Sequence, residues 1–231
     1  MVKVSSPNGK FFGIGFHRTG TRSLNHYFER LGLRSIHWVM KVDKVRYESL
    51  VIPHLNDRTQ VVEVLAPVIE QYDAFTDVPF PGLYSELDQK YPNSRFILVT
   101  RNFETWWPSL KVHWKLGKKH FRALDPFECI QYNRHSDRDM RFVTLEDREH
   151  LRALLQKHTK SVQQYFAGRP ESLLEVKLED PGIASKISAF LGRPSEAAFP
   201  HLAKREDRAR DPKPLGLWGK VLPHSMIQRR K

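Results

Sequence analysis

Arg18, Thr19, Thr21 and Ser23 gather a cation and three hydroxyls around Gly20. An apolar run broken only by glycine, Phe11 to Phe16, precedes them, and Leu24, Tyr27, Phe28 and Leu31 follow at helical spacing with Gly32 as a stop. This reads as strand, tight loop, helix. Such a loop points several backbone N–H groups and the positive end of the helix dipole at one spot, which is an anion site, most often for phosphate. Gly15 and Gly20 have the G-x-x-x-x-G spacing of a nucleotide P-loop, but Thr21-Arg22 follows where that motif has Lys and then Ser or Thr. The lysine for the β/γ-phosphates and the hydroxyl for Mg²⁺ are missing from their places. Arg18, two residues before Gly20, is the cation instead. The plainer reading is an ordinary buried βα turn.

The elements that position these residues alternate strand and helix. Arg34 to Val39 contains a short extended piece with His37 and Trp38. Residues 43–54 and 58–71 are expected to be helical, the second with a stripe of Val61, Val62, Leu65, Val68 and Ile69 and a bend at Pro67. Ala74 to Val78 is a second strand, Leu83 to Tyr91 a helix, and Arg95 to Thr100 a third strand whose continuous apolar run suits a buried parallel position. Phe103 to Leu116 is a helix despite Pro108. Residues 117–143 show no clear period and are expected to form a mobile polar lid. Thr144 and Asp147 form a capping box that opens a helix to about Phe166. Leu173 to Leu178 is a fourth strand, and Asp180 as N-cap with Pro181 at the first helical position opens a last helix over Ile183 to Leu191. The whole is an α/β chain: a mainly parallel sheet of about four to five strands covered on both faces, with ligands at the carboxyl ends of the strands. Those ends carry His17-Arg18, Thr76-Asp77, Thr100-Arg101 and Lys177 to Glu179, a set suited to a dianionic nucleotide.

Composition narrows the class. The 231 residues suffice for one ordinary domain, expected over 1–231, with 193–231 a basic and largely irregular extension. The net charge of +12, from 38 basic and 26 acidic residues, favours polyanionic partners. No apolar run reaches membrane-helix length and the first ten residues lack a signal core. Cys129 is the single cysteine, so no internal disulfide forms, and the expected setting is a soluble protein of the reducing cytoplasm. No metal-ligand spacing stands out, so no metal is expected.

R-T-G-T-x-S-L, Arg18 to Leu24, resembles the 5′-phosphosulfate loop of sulfotransferases, which reads roughly K-x-G-T-T in the cytosolic and Golgi branches. The arginine form, with a later strand ending in Asp and the Y-P-x-S-R-F-I-L-x-x-R run from Tyr91 to Arg101, is similar to a microbial and invertebrate branch of that family. The resemblance covers about Phe11 to Pro200. It implies a P-loop-like three-layer α/β/α fold and a metal-free reaction. The implied donor is 3′-phosphoadenosine 5′-phosphosulfate (PAPS), with adenosine 3′,5′-bisphosphate (PAP) as product. Arg18 stands where the loop lysine stands and would neutralise the leaving phosphate oxygen by charge alone, since arginine does not give up a proton at neutral pH. The implied donor-binding set is His17, Arg18, Thr19, Gly20, Thr21, Arg22 and Ser23, with Arg101 and Ser109 for the 3′-phosphate. R-N-F-E-T-W-W-P-S keeps the family spacing of arginine, seven residues, serine. Arg22 departs from the usual second threonine, and Ser23 from the tryptophan that stacks on adenine in the cytosolic branch.

The acceptor proton needs a base. F-T-D-V-P lies where the cytosolic branch has K-T-H-x-P, so Asp77 is the first candidate, His37 the second and His17 the third. An aspartate serves near neutrality only if desolvation raises its pKa. Asp77 can instead cap the following turn or pair with Arg18. Trp38, Trp106, Trp107 and Trp114 line an acceptor pocket for a sugar or a hydrophobic alcohol, or belong to the core. The expected acceptor is a small molecule or carbohydrate hydroxyl or amine, with no specific nucleic acid. Two other classes remain at this level: a P-loop kinase of small molecules, marked by Mg·ATP dependence, and a non-catalytic basic polyanion or nucleic-acid binder, marked by salt-sensitive binding.

Overall fold

Phe12 lies between the rings of Phe75 and Phe96, with centroids 5.2 and 5.4 Å away, and this aromatic row marks the middle of the sheet. The structure is a computed structural model that describes residues 9–116, 121–194, 197–200 and 202. Among these, the strands are β1 (Phe11–Gly13), β2 (Ser35–His37), β3 (Lys41–Val42), β4 (Val45–Arg46), β5 (Ala74–Thr76), β6 (Arg95–Thr100), β7 (Arg122–Ala123), β8 (Phe142–Val143) and β9 (Leu173–Lys177). The α-helices are α1 (Thr21–Arg30), α2 (Tyr47–Val51), α3 (Arg58–Gln71), α4 (Tyr84–Lys90), α5 (Phe103–Trp114), α6 (Pro126–Asn133), α7 (Arg148–Tyr165) and α8 (Ile183–Phe190). The chain divides into two compact units, Met1–Pro200 and His201–Lys231, and all these elements belong to the first. Most of the irregular extension expected over 193–231 lies outside the described residues.

Five strands form one parallel sheet in the order β2-β5-β1-β6-β9. Successive side chains of a strand point to opposite faces, so the sheet separates two cores. Phe12, Phe75, Phe96 and Leu98 pack with Val61, Leu65 and Ile69 of α3, Leu87 of α4 and Val162 of α7. Phe11, Ile97, Val99 and Val176 pack with Leu24, Tyr27 and Phe28 of α1 and Ile183 and Ile187 of α8. Burial on both faces explains why β6 reads as an unbroken apolar run. A third cluster joins Phe16 to Trp106, Trp114, Tyr132 and Leu151, beyond the carboxyl end of β1. The fold is therefore α/β with helices on both sides of the sheet. No helix among the described residues is long and apolar enough to cross a membrane.

Several local expectations are corrected. β1 ends at Gly13 rather than Phe16, and β5 at Thr76 because Asp77 turns into the left-handed region with φ 76°. Residues 43–46 are not helical: Asp43 and Lys44, with φ 47° and 71°, form the two-residue turn of the β3–β4 hairpin. α7 opens at Arg148, not Thr144, because the Asp147 carboxylate accepts from the Thr144 N–H and O–H at 2.7 and 3.2 Å and holds that segment outside the helix. Gly182, not Asp180, is the N-cap of α8, and Asp180 Oδ1 accepts the Gly182 N–H at 2.8 Å.

The largest correction concerns the aperiodic stretch read as a lid. Residues 117–120 lie outside the described residues, and 121–143 hold the β7–β8 pair and α6. α6 buries Phe127, Glu128, Cys129, Ile130, Gln131 and Tyr132, which surround the helix axis and leave no amphipathic period. Its start is nonetheless written locally: Asp125 and Glu128 form a reciprocal capping box with Pro126 at the first helical position.

Candidate active site

The loop after β1 packs closely on β6. Gly15 passes so close to β6 that an added Cβ would sit 2.4 Å from the Val99 carbonyl oxygen and 2.6 Å from Thr19 Oγ1. Both the N–H and the hydroxyl of Thr19 donate to the Phe16 carbonyl, at 3.1 and 2.6 Å. Thr19 therefore shapes the turn, and its hydroxyl donor is not available to a ligand. Gly20 then takes φ 101°, a left-handed conformation that suits glycine, and serves as N-cap of α1 without a capping side chain. The first turn of α1 carries no acidic residue, so its N–H groups and dipole face the loop without a local anion. Thr21 and Ser23 are buried beside it, and Arg22 is exposed.

Helix α5 ties this loop to the end of β6. Arg18 Nε donates to Ser109 Oγ at 3.1 Å, and Arg101 donates to the Arg18 carbonyl at 2.9 Å and to Thr105 Oγ1 at 3.1 Å. The indole N–H of Trp106 donates to the His17 carbonyl at 2.9 Å. Three residues separated by up to 91 positions, Arg18, Arg101 and Ser109, thus meet at one place. The parallel pairing of β1 with β6 brings the two strand ends side by side.

On the other side of β1 lies β5 and then β2. His37 Nδ1 stands 3.0 Å from the buried Thr76 Oγ1, and Nε2 stands 3.2 Å from Asp77 Oδ2. Asp77 Oδ1 accepts the Val78 N–H at 3.0 Å. Burial lowers the His37 pKa against the opposing pull of Asp77, so the ring is neutral at pH 7. A neutral ring in this position donates Nε2–H to Asp77 and accepts at Nδ1. Both of its nitrogens are then engaged, and His37 orients Asp77. The turn contact expected of Asp77 is present, and its other carboxylate oxygen accepts from the neutral His37 ring.

His17 points away from this pair into a pocket of α5 and α6. Its Nδ1 lies 3.3 Å from Gln131 Nε2 and 3.5 Å from the Tyr132 hydroxyl, and its ring is 5.4 and 5.6 Å from those of Trp114 and His113. Burial, aided by His113, Arg18 and Arg122, lowers its pKa well below the ordinary value. Candidate ligand atoms of His17, His113 and Glu128 lie within 4.8 Å of one another. The Glu128 carboxylate, however, already accepts from the Trp114 indole at 2.9 Å, Arg122 at 2.8 Å and the Asp125 N–H at 3.0 Å. A metal ion there would have to displace the Arg122 guanidinium from the Glu128 carboxylate. His113, Glu128, Gln131 and Tyr132 escape the sequence reading. The usable signals are that His113 stands four residues after Ser109 on one helix face, and that the capping box announces α6.

Glu128 provides a pH test. Burial and the Asp125 charge push its pKa up to about 7, against the pull of Arg122 and Trp114. A raised acid binds its proton more tightly folded than unfolded, so this residue costs stability as pH rises from the ordinary value of 4.5 to about 7. Thermal midpoints measured against pH are expected to show wild type losing ground to Glu128→Gln across that window. A constant difference between pH 4.5 and 7 contradicts the assignment.

The family profile described as sulfotransferase domain matches residues 10–208. The crystal structure of a sulfotransferase from Alicyclobacillus acidocaldarius is similar at a TM-score of 0.48 and 17% identity, with 90% of each chain covered. A comparison with curated proteins gives no match.

Proposed function

We propose that this chain, which belongs to the sulfotransferase domain family, moves a sulfuryl group from PAPS to a hydroxyl or amine of a small-molecule or carbohydrate acceptor. The observation that carries the reading is the meeting of Arg101, Ser109 and Arg18 through the 2.9 and 3.1 Å hydrogen bonds. A strand-end arginine, a helix serine and an arginine-bearing loop with an uncapped helix N-terminus suit two phosphate groups of one nucleotide. The close packing of Gly15 on the Val99 carbonyl and the left-handed Gly20 set the turn that brings the uncapped N–H groups of α1 to the end of the loop.

The donor supplies an activated sulfuryl group and a phosphate leaving group. Arg18 and the amino end of α1 neutralise the charge that grows on that phosphate as its bond to sulfur breaks. Asp77, oriented by His37, takes the proton of the acceptor as the new bond to sulfur forms. Arg101 and Ser109 bind the 3′-phosphate and hold the nucleotide in register, so most of the rate comes from position and electrostatics. Among the chain's own groups the bookkeeping is closed: one bond to sulfur is exchanged for another and the proton ends on Asp77.

Calorimetric titration with PAP and, separately, with Mg·ATP tests this reading. Wild type is expected to bind PAP. Arg101→Ala is expected to bind it roughly 10–100-fold more weakly, the loss of one or two charge-assisted hydrogen bonds. Binding of Mg·ATP without PAP gives the fold to a kinase activity instead. Salt-sensitive binding of nucleic acid with no response to PAP makes it a polyanion binder.

A further inference from the structure

A residue other than glycine with positive φ is uncommon, and a bulky aromatic in that conformation is strained. Two such residues directly follow neighbouring strands, Trp38 after β2 with φ 64° and Asp77 after β5 with φ 76°, and a third, Arg18 with φ 69°, lies in the loop after β1. Arg18 and Asp77 are the charge-neutralising group and the base proposed above. Trp38 has no role in that scheme. Its N–H donates to the Thr76 carbonyl at 3.1 Å, which ties it to the strand end that bears Asp77. Its side chain is not part of the core: Trp38 is 42% exposed, whereas Trp106, Trp107 and Trp114 are 0%, 7% and 2% exposed. Glycine would make the same turn without strain, and packing does not account for an indole facing solvent.

The order of the sheet gives this position meaning. From the edge inward, Trp38 directly follows β2, Asp77 directly follows β5 and Arg101 directly follows β6, while Arg18 lies in the loop after β1. His37 is in register with Thr76, and adjacent strands are about 4.8 Å apart, so Trp38 and Asp77, the next residue of each strand, are neighbours. The donor reading places the nucleotide over β1 and β6. In-line attack on sulfur at Arg18 then brings the acceptor from the β5 and β2 side, where Trp38 stands.

We propose that the Trp38 indole is the platform on which the acceptor stacks, and that the stacked group is a pyranose ring; this rests on the sulfotransfer reading. One face of a pyranose is made of C–H bonds, which suit the negative face of an aromatic ring, while its rim is made of hydroxyls. The β3–β4 hairpin that follows Trp38 carries exposed Lys41, Asp43, Lys44 and Arg46, polar groups suited to such a rim. His37 and Asp77 stand at the adjoining strand ends, ready for one of the ring hydroxyls.

The test is acrylamide quenching of tryptophan fluorescence with PAP saturating, on wild type and Trp38→Phe, during titration with methyl glucoside, methyl galactoside and methyl N-acetylglucosaminide. At least one sugar is expected to protect the quenchable component that Trp38→Phe removes. Saturation-transfer NMR with that sugar is expected to give a Kd raised about tenfold in Trp38→Gly and nearly restored in Trp38→Phe. The thermal midpoint of Trp38→Gly should equal or exceed wild type, because glycine relieves the left-handed backbone. Protection by cyclohexanol but by none of the sugars overturns the pyranose assignment. A lower midpoint in Trp38→Gly with unchanged sugar affinity makes the indole structural and overturns the platform. Failure of wild type to bind PAP at all removes the sulfotransfer reading itself, an outcome distinct from both.

Discussion

Arg18→Ala is expected to lower kcat for sulfuryl transfer by about 10²–10³-fold, the loss typical when one preorganised charge-stabilising group is removed. The reason lies in when the charge appears. The leaving phosphate gains charge as its bond to sulfur breaks, so a guanidinium beside it is worth more in the transition state than in the bound donor. PAP affinity should therefore fall much less than kcat. The loop itself should survive, because Arg101 donates to the Arg18 backbone carbonyl, which alanine retains. Alanine loses the cation and, with it, the Nε contact to Ser109 at 3.1 Å, not the backbone contact. Arg18→Lys separates the two: it keeps a positive charge without the planar fork and should fall between wild type and alanine. Single-turnover rates with excess enzyme, alongside calorimetric PAP affinity, measure the split. A kcat within threefold of wild type in Arg18→Ala would remove the residue from the chemistry.

Asp77→Asn is expected to lower kcat by about 10²–10⁴-fold, the range for loss of a general base, with PAP affinity unchanged. Asparagine preserves the local structure. Its carbonyl oxygen can accept the Val78 N–H, and its NH₂ can donate to His37 Nε2 once the imidazole moves its proton to the nitrogen facing Thr76. The variant thus removes the carboxylate while leaving shape and turn in place. His37→Gln is expected to have a smaller effect, since His37 orients the base and both of its nitrogens are engaged. The reverse order, with Asp77→Asn nearly active and His37→Gln inert, would transfer the role of base to His37.

Much of this protein is legible in local pattern. The strand–loop–helix around Arg18 and Gly20 is local chemistry: an apolar strand, a turn that only glycine makes comfortably, and a helix stripe three and four residues apart. β6 and α3 occupy the residues read for them, Arg95–Thr100 and 58–71, because an unbroken apolar run and a helical stripe each survive burial unchanged. Family membership is legible for the same reason, since the motifs that carry it are short and contiguous. α6 is not, because helical periodicity records a boundary between core and water, and a helix buried all round has none.

Tertiary structure alone decided which side chains meet. His37 and Thr76 are 39 positions apart, and Arg18 and Ser109 are 91 apart. Their contacts follow from a strand order, β2-β5-β1-β6-β9, that departs from the order along the chain. Tertiary structure also divided the tryptophans among the described residues, three into the core and Trp38 onto the surface, although the residue type is the same in each case. The physical reason is that apolar burial is non-directional: a pattern of residues states that area must leave water, and only the packing of neighbouring strands and helices determines which side chains cover it.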